Sequence, residues 1–414
     1  MPQVDAMVLG AGIVGTSVAL ALAKRGLAVA LVDRRAPGEE TSYGNAGVIE
    51  SDTLLPYAFP SDVLTLMRIA FKRASDVDYH VSFLPWAAPW LLAFRAASRP
   101  RQLEETARAM RPLFAHSVAE HEALLMEAGA TRYLRKSGFL KLYRSQRAFT
   151  ALKAQFALAQ ELGVSLRALD CEAACEIEPN LAPVFHSAVW CENAASVSNP
   201  LAVTRAYAER LAALGGLLIS ADARSLRRAG ARWRIDTAQG SFDAEEAVIA
   251  LGPFAPDVLA PLGIRLPLGF KRGYHCHFRP SGNAALSRPV VDAEIGYCLA
   301  PMEQGIRLST GAEFAARDAR PTPVQLGRVL PDAKSLFPLG EHVEASAWMG
   351  SRPCFPDSRP VIGRAPRHPG LWLAYGHAHW GLTLGPVTGR LIAEMMTGAT
   401  PFVDPAPYAA ERFG

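Results

Sequence analysis

The sequence predicts a mixed chain, part α/β and part α+β: a discontinuous Rossmann-like nucleotide-binding domain joined to a second domain built mostly on antiparallel sheet. Three observations predict it. A glycine-rich turn sits between two continuous apolar runs near the start. Strand and helix patterns of the same kind return after residue 197 and again near the C-terminus. Of the stretches between them, residues near 51 to 196 contain helices plus strand-like segments, and residues near 263 to 345 look mostly antiparallel.

The elements follow in order. "VDAMVL", "GAGIVG", "TSVALALAKRG" and "AVALVD" read as strand, turn, helix ending at Gly26, and strand, a βαβ unit with a buried parallel sheet. The apolar stretch Ala6 to Ala23 imitates a signal peptide, but it lacks a basic n-region, and its glycine spacing has another explanation. "SGFLKLYRS" and "SAVWCEN" are strand-like. "PLAVTRAYAERLAALGG" has Pro at its start, Gly at its end and apolar residues at helical spacing, and leads into the strand "LLIS". "RWRIDTA" and "SFDAEEAVIALG" alternate and then enter a core. "GYHCHFR", "GYCLAP" and "GIRLSTGAEF" look antiparallel, and "LWLAYG" before "GPVTGRLIAEMMTG" repeats the strand, loop, helix theme. The simplest division assigns residues 1–50, 197–262 and 346–414 to the nucleotide-binding domain, and 51–196 and 263–345 to the second domain.

Composition narrows the function classes. A chain of 414 residues, 50% hydrophobic, can bury a substantial core. Its formal net charge of +4 is mild, and no dense Lys/Arg run is interleaved with aromatics, so nucleic acid is a poor partner. The six cysteines show no CxxC spacing. A disulfide scaffold and a structural zinc site are therefore not expected, Cys171 and Cys175 read as spectator thiols, no metal is expected, and the compartment indicated is the cytoplasm.

Gly10, Gly12 and Gly15 form G-x-G-x-x-G after a strand and before a helix, and Asp33 closes the next strand. The glycines permit a tight turn and let a pyrophosphate approach the helix N-terminus, beside Ile13 and Val14, while Asp33 accepts a hydrogen bond from a ribose hydroxyl. Arg34 and Arg35 would suit a 2′-phosphate, but Asp33 would repel one. FAD or NAD is favoured over NADP.

With "TSYGNAGVI" following this unit, the chain resembles the D-amino-acid oxidase superfamily of flavoproteins, in particular the bacterial D-amino-acid dehydrogenases, including those acting on D-proline and D-hydroxyproline. The likeness covers nearly the whole length through "KSGFLKLY", "NPLAVTRAYAERLAALG", "AVIALGPFAPDVL", "FKRGYH", "PMEQGIRLSTGAEFA", "MGSRPCFPDSRPVIGR" and "YGHAHWGLTLGPVTGRLIAEM". It implies FAD. Thr41 and Ser42 are expected near its phosphates and ribityl chain, Asn45, Ala46, Gly47 and Val48 near its ring, Ala223 near the adenine, and Gly252 and Gly350 where the chain passes close. The loop Gly376 to Thr383, with His377, Gly381 and Leu382, precedes a helix whose N–H groups would stabilise negative charge on the reduced ring.

The resemblance also implies that Arg352 binds a substrate carboxylate, a task for which a guanidinium fork is suited. From spacing alone, an ion pair with one of the chain's own carboxylates is an equal reading. The implied reaction is oxidation of an α-amino acid by hydride transfer from Cα to flavin N5, giving an imino acid that hydrolyses to a 2-oxo acid. Electrons would pass to a quinone or another acceptor.

Tyr57, Tyr274, His275 and His379, with Trp380, are the expected selectors of the substrate side chain. Cys354 is offset from the cysteine that holds FAD covalently in the sarcosine-oxidase branch, so the FAD is expected to be non-covalent. "SRP" for the commoner "LRP", and Trp380 for a smaller residue, imply a different substrate size. Two other readings stand beside the dehydrogenase: a glycine- or sarcosine-type amine oxidase using O2, and an FAD-carrying subunit of a larger dehydrogenase. Residues 54 to 100, dense in Trp, Phe, Leu and Pro and edged by arginines, suit either a peripheral contact with the inner face of the membrane or helices packed over the substrate domain.

Overall fold

The computed structural model describes residues 4–414. Its mixed α/β architecture is built on two large sheets. The first has eight strands, and its parallel centre runs Leu217–Ser220, β2 (Val29–Asp33), β1 (Val4–Leu9) and Gly240–Ile249. Burial explains the continuous apolar sequence of β1 and β2: Ala6, Met7, Val8 and Leu9 are fully enclosed. The long Gly240–Ile249 strand changes partner along its length. Its start pairs antiparallel with Arg232–Thr237, and its end pairs parallel with Leu371–Tyr375. The stretch that imitates a signal peptide is thus central strand and core helix.

Helix α1 (Ile13–Ala23) stops three residues before Gly26, whose φ of +85° turns the chain back into β2. On its outer side α1 packs against the helix Gly381–Met396. The two backbones approach through Gly385 and Gly389, and a Cβ at Gly389 would meet Ser17 O at 2.5 Å. This seam brings the N-termini of both helices to the same end of the sheet.

The second sheet has eleven strands, and Gly269–Pro280 is its hub. This strand pairs antiparallel with Gly305–Thr310 on one side and with Trp348–Cys354 on the other. Phe139–Tyr143 and Ser187–Cys191 extend the sheet, as their alternation requires. The strand carrying Arg352 therefore hydrogen-bonds into the larger sheet. The loop after Leu371–Tyr375 is fastened to that same strand by Ala378 N–H donating to Pro353 O at 2.9 Å.

Candidate active site

A cavity of about 670 Å³ runs between the two sheets. One end lies at the carboxyl ends of β1 and β2, where a doubly wound sheet binds nucleotides. Gly10 has φ +107°, and a Cβ there would lie 2.5 Å from Ala250 O, so only glycine fits. A Cβ on Gly15 would collide with Gly10 O, which is how the third glycine lets helix and strand close up. Asp33 accepts from Ala11 N–H at 2.7 Å and from Arg35 N–H at 3.0 Å, which fixes its carboxylate at the rim. Ser42 Oγ accepts from Ile13 N–H at 2.9 Å, tying the 41–48 segment to the helix start. Gly12, Ile13, Val14, Arg34, Thr41, Ser42, Ala223 and Gly252 all line this end.

These residues fit FAD. The glycines let strand and helix close up at this end of the cavity, the helix N-terminus suits a pyrophosphate, and the acceptor at Asp33 suits a ribose.

Further along, Asn45, Ala46, Val48, Gly350, Gly376, His377, Gly381 and Leu382 line the wall. Asn45 Oδ1 accepts from Gly47 N–H at 2.8 Å. Arg307, fully buried, donates to Tyr43 O at 2.8 Å and Asn45 O at 2.5 Å, and so clamps the same segment from behind. Burial pushes this guanidinium down to about 10. Thr383 lies behind the wall, accepting from Glu50 N–H at 3.2 Å and donating to Val48 O at 3.2 Å. His377 is neutral: burial alone pushes it down to about 3, and its Nε2 meets Thr388 Oγ1 at 2.9 Å.

At the far end stands Arg352. Its guanidinium donates to Gly311 O at 2.6 Å and Thr310 O at 3.1 Å. Among the described residues no carboxylate pairs with it, and burial pulls its pKa down. The ion-pair reading of Arg352 therefore finds no partner. Gly273, directly opposite Gly350 in the ladder, makes room for the guanidinium, since a Cβ there would lie 2.5 Å from Nη2.

Tyr57 and His379 face each other with ring centroids 5.0 Å apart, and both line the cavity. His379 is held well below the ordinary imidazole range by burial and by Arg352, Lys271 and Lys141, so it is uncharged.

Of the remaining expected residues, Tyr274 is on the cavity wall but its hydroxyl is committed to a buried network, whereas His275 and Trp380 lie off the wall. Adjacent strand residues face opposite ways, so Tyr274 and His275 cannot both face the cavity through their side chains. The Tyr274 hydroxyl donates to Glu313 Oε2 at 2.6 Å and accepts from Arg272 at 2.7 Å and from Thr322 N–H at 2.9 Å, a buried structural network. His275 is off the cavity wall, stacked on Trp348 at 4.9 Å. Trp380 is buried against Phe114 at 5.2 Å and does not reach the cavity, so it cannot set substrate size by contact. Gly15, Arg35 and Gly47 support the site from outside its wall.

Sequence reasoning missed Lys271, Arg307 and Lys141. Only Lys271 lines the cavity, and the period-two spacing of 271, 273 and 275 along "FKRGYH" was a signal that could have placed it there.

Comparison with known proteins agrees with this geometry. The chain is 30% identical to a D-amino-acid oxidase of Bradyrhizobium diazoefficiens over 98% of both chains. It is 29% identical to a D-amino acid dehydrogenase of Azorhizobium caulinodans, over 98% of this chain and 99% of that one. In fold it is similar to a glycine oxidase from Geobacillus kaustophilus, with a TM-score of 0.75, 24% identity and 99% of each chain covered. It is also similar to an L-proline dehydrogenase from P. horikoshii, with a TM-score of 0.76, 20% identity, and 100% of this chain and 98% of that one covered. The family model described as FAD dependent oxidoreductase matches residues 5–395. With a glycine turn, a ribose acceptor and a clamped loop placed along one cavity, the chain belongs to the FAD dependent oxidoreductase family, and its cofactor is FAD.

Proposed function

We propose that the chain is an FAD-dependent D-amino-acid dehydrogenase that passes its electrons to a lipid-borne quinone or a similar acceptor. The observation that carries this reading is Arg352: a guanidinium on the wall of the cofactor cavity, anchored by two carbonyls and matched by no carboxylate among the described residues. Such a group needs an anion, and the α-carboxylate of an amino acid is the fitting one. The relatives named D-amino-acid oxidase and D-amino acid dehydrogenase support the D configuration.

In this reading two carbonyls hold the guanidinium, so three of its five N–H donors remain for substrate. The neutral His379 adds no positive charge beside the substrate amine, and with Tyr57 it bounds the side-chain space. FAD, when bound, supplies the two-electron acceptor that takes hydride from the substrate Cα. The N-terminus of the Gly381–Met396 helix, on the cavity wall, offers its dipole to the negative charge that results. No strong acid or base is required of the protein. Orientation and electrostatics carry the catalysis.

The preference for a quinone rests on α2 (Val63–Ala70) and α3 (Leu84–Ala97). Leu66, Ile69, Leu91 and Phe94 line the cavity, whereas Leu64 (71% exposed), Met67, Phe71 (69%), Trp86 (82%) and Leu92 face outward. Arg68, Lys72, Arg73 and Arg95 stand among these exposed apolar residues. An apolar face edged by cations suits the headgroup boundary of a membrane at the inner surface of the cell, and here it also borders the cavity. No helix among the described residues is long and apolar enough to cross a membrane.

The test is an anaerobic screen of the yellow holoprotein against D-amino acids, D-hydroxyproline, glycine and sarcosine, followed by an aerobic assay of peroxide against quinone or dye reduction. Bleaching by D-amino acids with little peroxide is expected. Stoichiometric peroxide would assign the chain to the amine oxidases. Bleaching that appears only after partner proteins are added would make it a subunit of a larger enzyme.

A further inference from the structure

Lys271 lies directly opposite Arg352 in the antiparallel ladder, Lys271↔Arg352. Cross-strand partners project from the same face with Cβ atoms about 5 Å apart, and like charges in that relation repel. Both side chains line the same cavity. Among the described residues neither has a carboxylate partner. Glu50 and Asp76 also line the cavity, but neither bonds to these cations, and burial pushes both carboxyls up. The Lys271 ammonium is held over the rings of Phe94 at 4.1 Å and Trp90 at 5.3 Å, which fixes its position beside the cavity without neutralising it. The Trp90 ring is itself pinned by Nε1–H donating to Cys354 O at 3.0 Å. One carboxylate on Arg352 leaves the second charge unmatched.

We infer that Lys271 binds a second anionic group on the substrate, and that the preferred substrates are dicarboxylic amino acids, with the α-carboxylate on Arg352 and the distal carboxylate on Lys271. This inference deepens the amino-acid reading above and rests on it. The Phe94 and Trp90 faces orient the ammonium.

The experiment compares the wild-type holoenzyme with Lys271→Met, which keeps an unbranched stem and removes the charge. Two readouts are taken. The first is kcat/KM for D-glutamate against D-glutamine, a pair differing only in the distal group. The second is the perturbation of the oxidised flavin spectrum on titration with glutarate or with butyrate, which needs no turnover. In wild type, D-glutamate and glutarate are expected to be favoured by about tenfold to a hundredfold, the range of one charge-assisted hydrogen bond, and K271M is expected to erase that preference, so that the D-glutamate to D-glutamine and glutarate to butyrate ratios fall toward one. Equal binding of glutarate and butyrate by the wild type would overturn the inference, as would a preference that survives in K271M. Bleaching by neutral D-amino acids alone would sink the dicarboxylate assignment and leave the dehydrogenase reading standing. If no amino acid bleaches the flavin but glutarate still binds through Lys271, the subsite stands and the reaction assigned above fails.

Discussion

Replacing Arg352 by lysine keeps a cation in the cavity but removes the planar fork, so it separates charge from geometry. In the structure, Nη1 and Nη2 each donate one hydrogen bond to a backbone carbonyl, Gly311 O at 2.6 Å and Thr310 O at 3.1 Å. The remaining N–H groups can meet both oxygens of a carboxylate. A lysine ammonium has three donors; two satisfy the same carbonyls and one is left for substrate. One charge-assisted hydrogen bond is lost, about 1.5–3 kcal/mol, and kcat/KM falls by roughly tenfold to a hundredfold. Arg352→Met removes the charge as well and leaves two carbonyls without their donor, so a loss of about 3–6 kcal/mol, on the order of 10²- to 10⁴-fold, is expected. The assay is dye-linked turnover of a D-amino acid by holoprotein whose FAD content is measured from its visible spectrum, which should match wild type in both variants. Values of kcat/KM within threefold of wild type for R352M would refute the argument, because an unmatched guanidinium on the cavity wall would then have no ligand.

Gly10→Ala should yield colourless protein, since φ +107° disfavours any side chain and the new Cβ would strike Ala250 O; normal FAD content after purification would contradict this. His121, buried with Nδ1 beside Tyr207 Oη at 3.1 Å and Nε2 beside Leu382 O at 2.7 Å, is pushed down to about 4 by burial. Its native pKa lies below the unfolded value near 6.5, so its contribution is present above that pH and is lost as pH falls toward the native value. Between pH 7.5 and 5 that loss is about 2 kcal/mol, and urea unfolding of His121→Asn should show a pH dependence flatter by that amount. Changing exposed Leu64 and Trp86 together to serine should reduce co-sedimentation with anionic vesicles while leaving dye-linked turnover in solution intact; unchanged sedimentation would remove α2 and α3 from any membrane contact.

The parts of the fold that were readable in the sequence are those whose cause is local. Gly10, Gly12 and Asp33 announce a nucleotide turn because the backbone at Gly10 admits no side chain and because a carboxylate closes β2. The helix Pro200–Ala213 carries its own start in Asn199, which caps it, and Pro200. The site depends on register instead. Lys271 opposes Arg352 only because residues far apart in the chain pair in one alignment, and a shift of one residue would send Lys271 to the other face. The same alternation turns the Tyr274 hydroxyl into a network with Arg272 and Glu313, although the sequence places Tyr274 and His275 side by side. Trp380 misled for a related reason: the loop turns at Ala378, φ +52°, and the indole falls behind the wall against Phe114. Arg307, a charged residue on an apolar strand, gives no local hint that it clamps Tyr43 and Asn45 from behind.

The central claim is that Arg352 orients an amino acid for removal of its Cα hydrogen. The most direct measurement is anaerobic stopped-flow reduction of the holoprotein by saturating D-amino acid, protiated or deuterated at Cα. The account predicts complete bleaching that is slower with deuterium, with one 2-oxo acid formed per flavin. Flavin that stays yellow with every amino acid, or reduction that yields no 2-oxo acid, would contradict it.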